Sequence, residues 1–199
     1  SVIPIGDIYN SFQKSLENEF NGLEPDVTEE NLQSRCRGVI LMALSNKSGE
    51  LVLTTGNKSE TAVGYSTLYG DTAGGFGVLK DVPKTLVYEL SRYRNRISSV
   101  IPERIIERPP SAELAPDQQD SDSLPDYDIL DKVIEMYVEQ DKSKQEIEES
   151  GVEKTVVDRV IRLIDISEYK RRQAPLGVKI TARGFGKDRR YPITNKFLK

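Results

Sequence analysis

Between Leu51 and Lys84 the chain reads LVLTTGNKSETAVGYSTLYGDTAGGFGVLKDVPK, and this stretch leaves the fold few options. LVLTT is a short apolar, β-branched run of the kind that forms a buried strand. Gly56 breaks the strand, and Asn57 can cap a helix beginning at Lys58. Glu60 then sits in the first helical turn, just past the carboxyl end of a strand, where open parallel α/β sheets keep their ligand groups. A carboxylate there can take a magnesium ion that also holds phosphate oxygens. Gly70, Asp71, Gly74 and Gly75 follow in a loop where backbone can approach a bulky anion closely. Lys84, beside Pro83 at the start of another helix, is a compact phosphate-binding charge. Taken singly, each feature also has an ordinary explanation. Glu60 suits any helix N-terminus, and the glycines suit plain turns.

The rest of the composition narrows the chemistry. The 199 residues are 37% hydrophobic and contain no histidine or tryptophan, which suits one domain with a moderate core. Without histidine there is no Ser-His or Cys-His nucleophile pair. Cys36 is the only cysteine, so neither an internal disulfide nor a Cys-based zinc site can form. The absence of a membrane-length apolar run or a signal-peptide pattern points to the cytoplasm. From Glu168 onward ten Lys/Arg face two acids, a net +8; against the chain's −4 this leaves −12 on residues 1–167. A basic tail on an acidic body suggests a polyanionic ligand or docking onto an acidic surface.

Along the chain, SVIPI (1–5) reads as a strand, and Asp7 to Phe20 as an amphipathic helix through Ile8, Phe12, Leu16 and Phe20. Asp26 to Lys47 reads as a second helix, buried through Leu32, Cys36, Val39, Ile40, Ala43 and Leu44, with Asn31 and Arg35 as polar positions near its start. A strand ending near Leu79 precedes the helix TLVYELSRYRN. Residues 101–126 hold five prolines and little periodicity, so they read as a long loop, either functional or a linker. Helices are expected over Tyr127–Gln140, from a Ser143–Glu146 capping box to Gly151, and over Glu153–Ser167. KQEIEESGVEKTVVDRVIRLI also has the layout of a helix-turn-helix, with a basic tail after it. Glu153 and Asp158 on its second helix are poor neighbours for DNA phosphates, and that reading leaves the first hundred residues unexplained.

TTGNKSE, VGYSTLYGD, AGGF and LKDVPKT, at these spacings, resemble the NAD synthetase family, specifically its longer, glutamine-dependent bacterial type. The resemblance runs from VIPI to PITNKF. It implies an adenine nucleotide alpha-hydrolase-like, Rossmann-like parallel sheet flanked by helices, followed by a helical C-terminal region (127–167) and a basic tail (168–199). It also implies ATP-dependent amidation of deamido-NAD to NAD through an adenylate, with Mg2+ and with ammonia from a separate glutaminase domain. Residue by residue, Thr55, Lys84 and Ser111 match ATP contacts. Asn31, Glu60, Tyr65, Ser66, Thr67, Leu68 and Lys170 match deamido-NAD contacts, Asp71 is a further polar contact, and Glu60 doubles as the metal position. None is a nucleophile. Residues 101–126 match a lid over the nucleotides, with PPSAEL and DQQDSDSLP as its marked parts.

One motif of the family is missing. Its SGGxDS pyrophosphate loop has no counterpart here, since the only adjacent glycines are Gly74 and Gly75. The expectation is therefore the C-terminal part of a single synthetase domain, incomplete at its N-terminus, lacking the pyrophosphate loop and the glutaminase, and inactive alone. Of a family sheet ordered 3-2-1-4-5, strands three, four and five would be present, leaving the LVLTT strand with an open edge. Oligomers are expected of the family, with no nucleic-acid or membrane partner. A non-catalytic assembly role for the fragment, and ligand or subunit contacts for Arg171, Arg172, Arg189 and Arg190, stay open.

Overall fold

LVLTT does form a strand, but a short one. In the computed structural model, which describes residues 1–194, β1 is Leu53–Thr54. It pairs in parallel with β2, Phe76–Gly77, which pairs in parallel with β3, Leu176–Gly177. The sheet order is β1-β2-β3, with registers Leu53↔Phe76 and Phe76↔Leu176. Parallel neighbours need crossovers. The first crossover carries α3, Lys58–Val63; the second carries α4, Lys84–Ile97, the lid segment and the C-terminal helices.

Three expectations about the sheet change. SVIPI forms no strand: residues 1–5 lack regular structure before α1, Gly6–Leu16. Pro4 removes a backbone donor, and an extended segment without a neighbouring ladder gains nothing from a strand geometry. The strand expected to end near Leu79 ends at Gly77, and the chain turns at once through Lys80 N to Gly77 O (3.3 Å). The third strand comes instead from the basic tail. As expected, β1 has a neighbour on one side only among the described residues.

The core lies among the C-terminal helices. Leu130 and Val133 of α6 (Tyr127–Ile134), Ile147 of α7 (Lys144–Glu149) and Val157, Val160, Ile161 and Ile164 of α8 (Lys154–Ile166) are buried together with Ala62 and Val63 of α3. Burying such side chains is worth about 1.5–3 kcal/mol each. The Ser143–Glu146 capping box opens α7 as its sequence indicates. The helix expected through Gln140 widens into a π-turn over Glu135–Glu139, which leaves Val138 fully buried and Glu139 against Lys58.

By contrast, the apolar stripes of α1 and of α2 (Val27–Ser48) are not buried as expected. Phe12 is 46% exposed, and on α2 Val39 is 65% exposed while Cys36 is covered. α1 and α2 touch each other, but Ile8 and Phe12 of α1 and Val39, Leu41 and Leu44 of α2 stay exposed. α2 does dock on the loop after α3 through Gly38, where an added Cβ would stand 2.7 Å from Tyr69 O.

Residues 101–126 are not a bare loop. They hold α5, Glu103–Glu107, and a 3-10 turn, Asp120–Asp122, and they bury Ile106 and Leu124. Gln33 Nε2 donates to Leu114 O (2.9 Å), Gln118 Nε2 to Glu30 Oε2 (3.2 Å) and Asp120 N to Pro110 O (2.9 Å).

Most of the basic tail is spent internally. Lys58 Nζ donates to Glu139 Oε1 (2.8 Å) and Arg183 O (3.0 Å), with Asp81 Oδ1 at 3.3 Å. Asp81 Oδ2 in turn accepts the Ile180 and Thr181 N–H groups, both at 2.8 Å. Arg171, which closes α9 (Glu168–Arg171), is buried against Glu168, donates to Ala62 O and Ile164 O (2.6 Å each) and lies under Phe185. Arg172 pairs with Glu168, Arg189 with Asp141, and Arg190 donates to Gly186 O. On α8, Lys154 pairs with Glu148 and Asp158. The helix-turn-helix reading therefore loses most of the tail cations it needs as phosphate contacts. The NKF end of the resemblance (195–197) lies outside the described residues, as do the last two residues of the basic tail. No helix of the described residues is long and apolar enough to cross a membrane.

This clamp has a pH signature. Burial alone would raise the Asp81 carboxyl, but the Thr181 and Ile180 N–H groups, the Thr181 hydroxyl and the Lys58 ammonium outweigh it and hold the group below its ordinary value. A carboxyl depressed by folding adds stability above its unfolded pKa, about 3.9, and loses it as pH falls through the lower folded value. Stability measured by denaturant titration is expected to fall less steeply with acid below about pH 4 in Asp81→Asn than in the parent. Parallel pH profiles would rule this out.

Candidate functional site

The site grows out of the β1–α3 junction. Asn57 caps α3 as the sequence indicates: its side chain accepts Glu60 N at 3.0 Å, while Glu60 Oε2 accepts Asn57 N at 3.3 Å. The other carboxylate oxygen, Oε1, takes Lys84 Nζ at 3.0 Å. Lys84 is the first residue of α4, with Pro83 as its N-cap, and Lys84 N donates to Ser59 Oγ at 2.8 Å. Asp131 of α6 fixes the same corner, accepting from Thr85 N (2.9 Å), Thr85 Oγ1 (2.8 Å) and Ser59 Oγ. Glu60 and Lys84 are thus placed by backbone on two helix starts.

A second cluster faces them. Asp71 Oδ1 accepts Thr67 N (2.6 Å) and Ser34 Oγ (3.2 Å), and Thr67 Oγ1 donates to Asn31 Oδ1 at 2.7 Å. Arg35 Nε donates to Leu68 O at 3.2 Å. Lys170 Nζ reaches over from α9 to Gly64 O and Ser66 O, both at 2.7 Å. Burial pushes its ammonium below the ordinary lysine range, with Asp71 offsetting part of that. Two backbone acceptors therefore aim a desolvated cation at the 64–66 turn.

Gly64 is the pivot of this turn. It ends α3 at φ +68°, and an added Cβ would meet Ser167 Oγ at 2.4 Å. Gly64→Ala is expected to cost about 2 kcal/mol, from left-handed strain and overpacking. A thermal or denaturant midpoint equal to the parent's would contradict it.

Both clusters border one cavity of about 1420 Å³ between α2, α3, α4, α5 and the lid. Of the residues singled out from the sequence, Asn31, Glu60, Tyr65, Ser66, Thr67, Asp71, Lys84, Ser111 and Lys170 line it. Thr55 does not: it is exposed just beyond β1. Leu68 also lies outside it, with its carbonyl accepting from Arg35. The structure adds residues that the sequence did not single out. Ser34 holds Asp71; Glu30 and Asp120 supply further carboxylates to the wall. Tyr127, whose phenol donates to Asp120 Oδ2 at 2.7 Å, stands beneath Lys84 with its ring centroid 5.3 Å from Nζ. Ser34 lies one helical turn after Asn31, a spacing that marks it as a neighbour on the same face. Tyr127 has no such signal.

A parallel sheet with helices on its crossovers, and a cavity beside the first-turn residues that follow its strands, defines a Rossmann-like α/β protein of the adenine nucleotide alpha-hydrolase type. Structures bear this out: an NMN synthetase from Francisella tularensis superposes with a TM-score of 0.70 at 26% identity, covering 86% of this chain and 63% of that one. The family is settled by sequence. A family model for NAD synthase matches residues 1–174, and the chain belongs to that family. It is 59% identical over 196 residues to the glutamine-dependent NAD(+) synthetase of Acinetobacter baylyi, covering 98% of this chain and 36% of that protein. To the Aquifex aeolicus enzyme of the same name it is 54% identical over 198 residues, covering 100% of this chain and 35% of the relative. A glutamine-dependent NAD+ synthetase from Acinetobacter baumannii, solved with ADP, gives a TM-score of 0.53 at 53% identity over 96% of this chain and 34% of that one. The chain thus spans about a third of the length of the relatives it matches.

Proposed function

We propose that this chain contributes half of an adenylating pocket to a glutamine-dependent NAD(+) synthetase. The observation that carries the reading is the single cavity onto which the Glu60–Lys84 pair, the Asn31–Thr67–Asp71 cluster and Lys170 converge. In the reaction, the nicotinate carboxylate of deamido-NAD attacks the α-phosphorus of ATP and pyrophosphate leaves. Ammonia then attacks the acyl carbon of the adenylate, AMP leaves, and the amide nitrogen gives up a proton to water. Two polyanions must meet for this, so the protein's task is to place charge and exclude water rather than to supply a nucleophile.

In this reading Lys84 and Ser111 hold ATP, as does Thr55 once a ligand draws it in. Asn31, Glu60, Tyr65, Ser66, Thr67, Leu68, Asp71 and Lys170 hold deamido-NAD. Residues 101–126 close over both nucleotides. No cluster of three or more metal-binding side chains occurs among the described residues. Glu60 fits magnesium as a lone carboxylate ligand, the remaining ligands being phosphate oxygens and water, in keeping with the way this ion is usually held. Bound there it would damp the repulsion between the two nucleotides. Ammonia would come from a glutaminase domain, the working form would be a cytoplasmic homo-oligomer, and the chain alone would be inactive.

The test is a full-length protein supplied with ATP, deamido-NAD, magnesium and either glutamine or ammonia. NAD, AMP and pyrophosphate are expected in equal amounts, and residues 1–199 alone should yield none. Failure of the full-length protein to form AMP and pyrophosphate, or turnover by the isolated chain, would overturn the respective claim.

A further inference from the structure

Asp120 and Tyr127 have no task in the reading above, yet they join the lid to the Lys84 corner. Asp120 is 3% exposed, its backbone N–H is tied to Pro110 O, and its Oδ2 accepts the Tyr127 phenol at 2.7 Å. Its other oxygen is buried and accepts no hydrogen bond. The Tyr127 ring presents its face to Lys84 Nζ at 5.3 Å, while Glu60 Oε1 holds the same ammonium at 3.0 Å. We propose that Tyr127 is a positioning residue for Lys84, and that Asp120 makes this positioning depend on the docked lid.

The physical argument starts from the flexibility of lysine. Its four-carbon stem carries a strongly hydrated point charge with three N–H donors. Glu60 alone would fix the ammonium by using a donor and cancelling charge. A ring face attracts the cation without occupying any N–H in a conventional hydrogen bond, so donors stay available for phosphate oxygens. The ring must then be kept in place. Burial, with help from Asp120, pushes the Tyr127 phenol well above its ordinary range, so it remains a protonated donor to that carboxylate. Asp120 belongs to the lid, so this hydrogen bond exists only with the lid packed as it is here. Lid docking and a fixed Lys84 thereby become one event.

This inference rests on Lys84 serving ATP phosphate, as proposed above. The test is calorimetric titration of the full-length protein with ATP and, separately, with deamido-NAD. Tyr127→Leu is expected to raise the Kd for ATP about 3- to 30-fold and leave that for deamido-NAD within about twofold. Tyr127→Phe keeps the ring but frees it from Asp120. It and Asp120→Ala, which leaves no acceptor for the phenol, should each cost about threefold for ATP, and no more when combined, because they cut the same link. Equal losses for both nucleotides would show a merely structural role and overturn the proposal, as would additive losses in the double variant. Should Tyr127→Leu fail to fold, the Phe/Ala cycle decides alone. If Lys84→Met loses ATP while the Tyr127 and Asp120 variants do not, this inference falls and the proposed function stands. If Lys84→Met binds ATP normally, the assignment of Lys84 falls, and this inference with it.

Discussion

Replacing Lys58 with methionine is expected to cost about 3–5 kcal/mol of folding free energy, the range for breaking one side of a buried ion pair. The side chain is 1% exposed, and its ammonium is the shared partner of Asp81 and Glu139, themselves 8% and 13% exposed. Methionine fills similar volume but leaves two buried carboxylates facing each other without a cation. Thr181 Oγ1 and Arg183 O lose their donor at the same time. The segment around 180–183, held by Asp81 and by Glu139 Oε2 on Ala182 N (3.1 Å), should then come away first. Denaturant titration gives the size of the effect, and limited proteolysis near Lys179–Arg190 gives its place. The triple variant Lys58→Met/Asp81→Asn/Glu139→Gln should recover much of the loss, because it removes the stranded charges as well. A Lys58→Met protein within about 1 kcal/mol of the parent would show that water reaches the clamp.

Lys58 also marks where the sequence stopped being legible. Local signals are legible because their physics is local. Asn57 and Ser143 cap helices through residues three places on. Glu60 and Lys84 stand at helix starts that the sequence marks, while their convergence on one pocket is implied by the family resemblance. Long-range charge pairing leaves no such trace. Lys58 finds Glu139 81 residues away and Thr181 123 residues away, and in sequence it looks like any exposed lysine. Arg171 was one of four tail arginines with an open role, and only packing against Glu168, Phe185 and Tyr191 identifies it as core. SVIPI and the α1 and α2 stripes misled for a different reason. A stripe or an extended run states what a segment can bury, not whether a partner is there to cover it. β3, with Pro175 before it and Gly177 in it, has almost no strand propensity and exists because β2 offers an edge.

Lys84→Met should lower kcat/KM for ATP in the full-length protein by about 10²- to 10³-fold, the usual effect of removing one well-placed electrostatic donor. Stability should fall by less than in Lys58→Met, since Lys84 and Glu60 keep 19% and 20% exposure and water can reach the stranded Glu60 carboxylate more readily than the Lys58 clamp. This separates Lys84 from Lys58: two lysines of similar sequence surroundings, one spent on folding and one on charge at a cavity wall. Losing Lys84 also strips Glu60 Oε1 of its partner, so the variant meets the triphosphate with a bare carboxylate. Without magnesium, adding Glu60→Gln to Lys84→Met should therefore restore part of the ATP affinity by removing the repulsion; with magnesium it should restore none, because it also removes the carboxylate assigned to the ion. It should not restore kcat, because nothing replaces the cation in the transition state. Glutamine keeps an oxygen for Asn57 N, so the α3 cap survives the exchange. A kcat/KM for ATP within about threefold of the parent in Lys84→Met would move the phosphate site away from this wall, since a well-placed donor is worth far more than that. Recovery of both affinity and kcat in the double variant would mean that Lys84 serves only to neutralise Glu60.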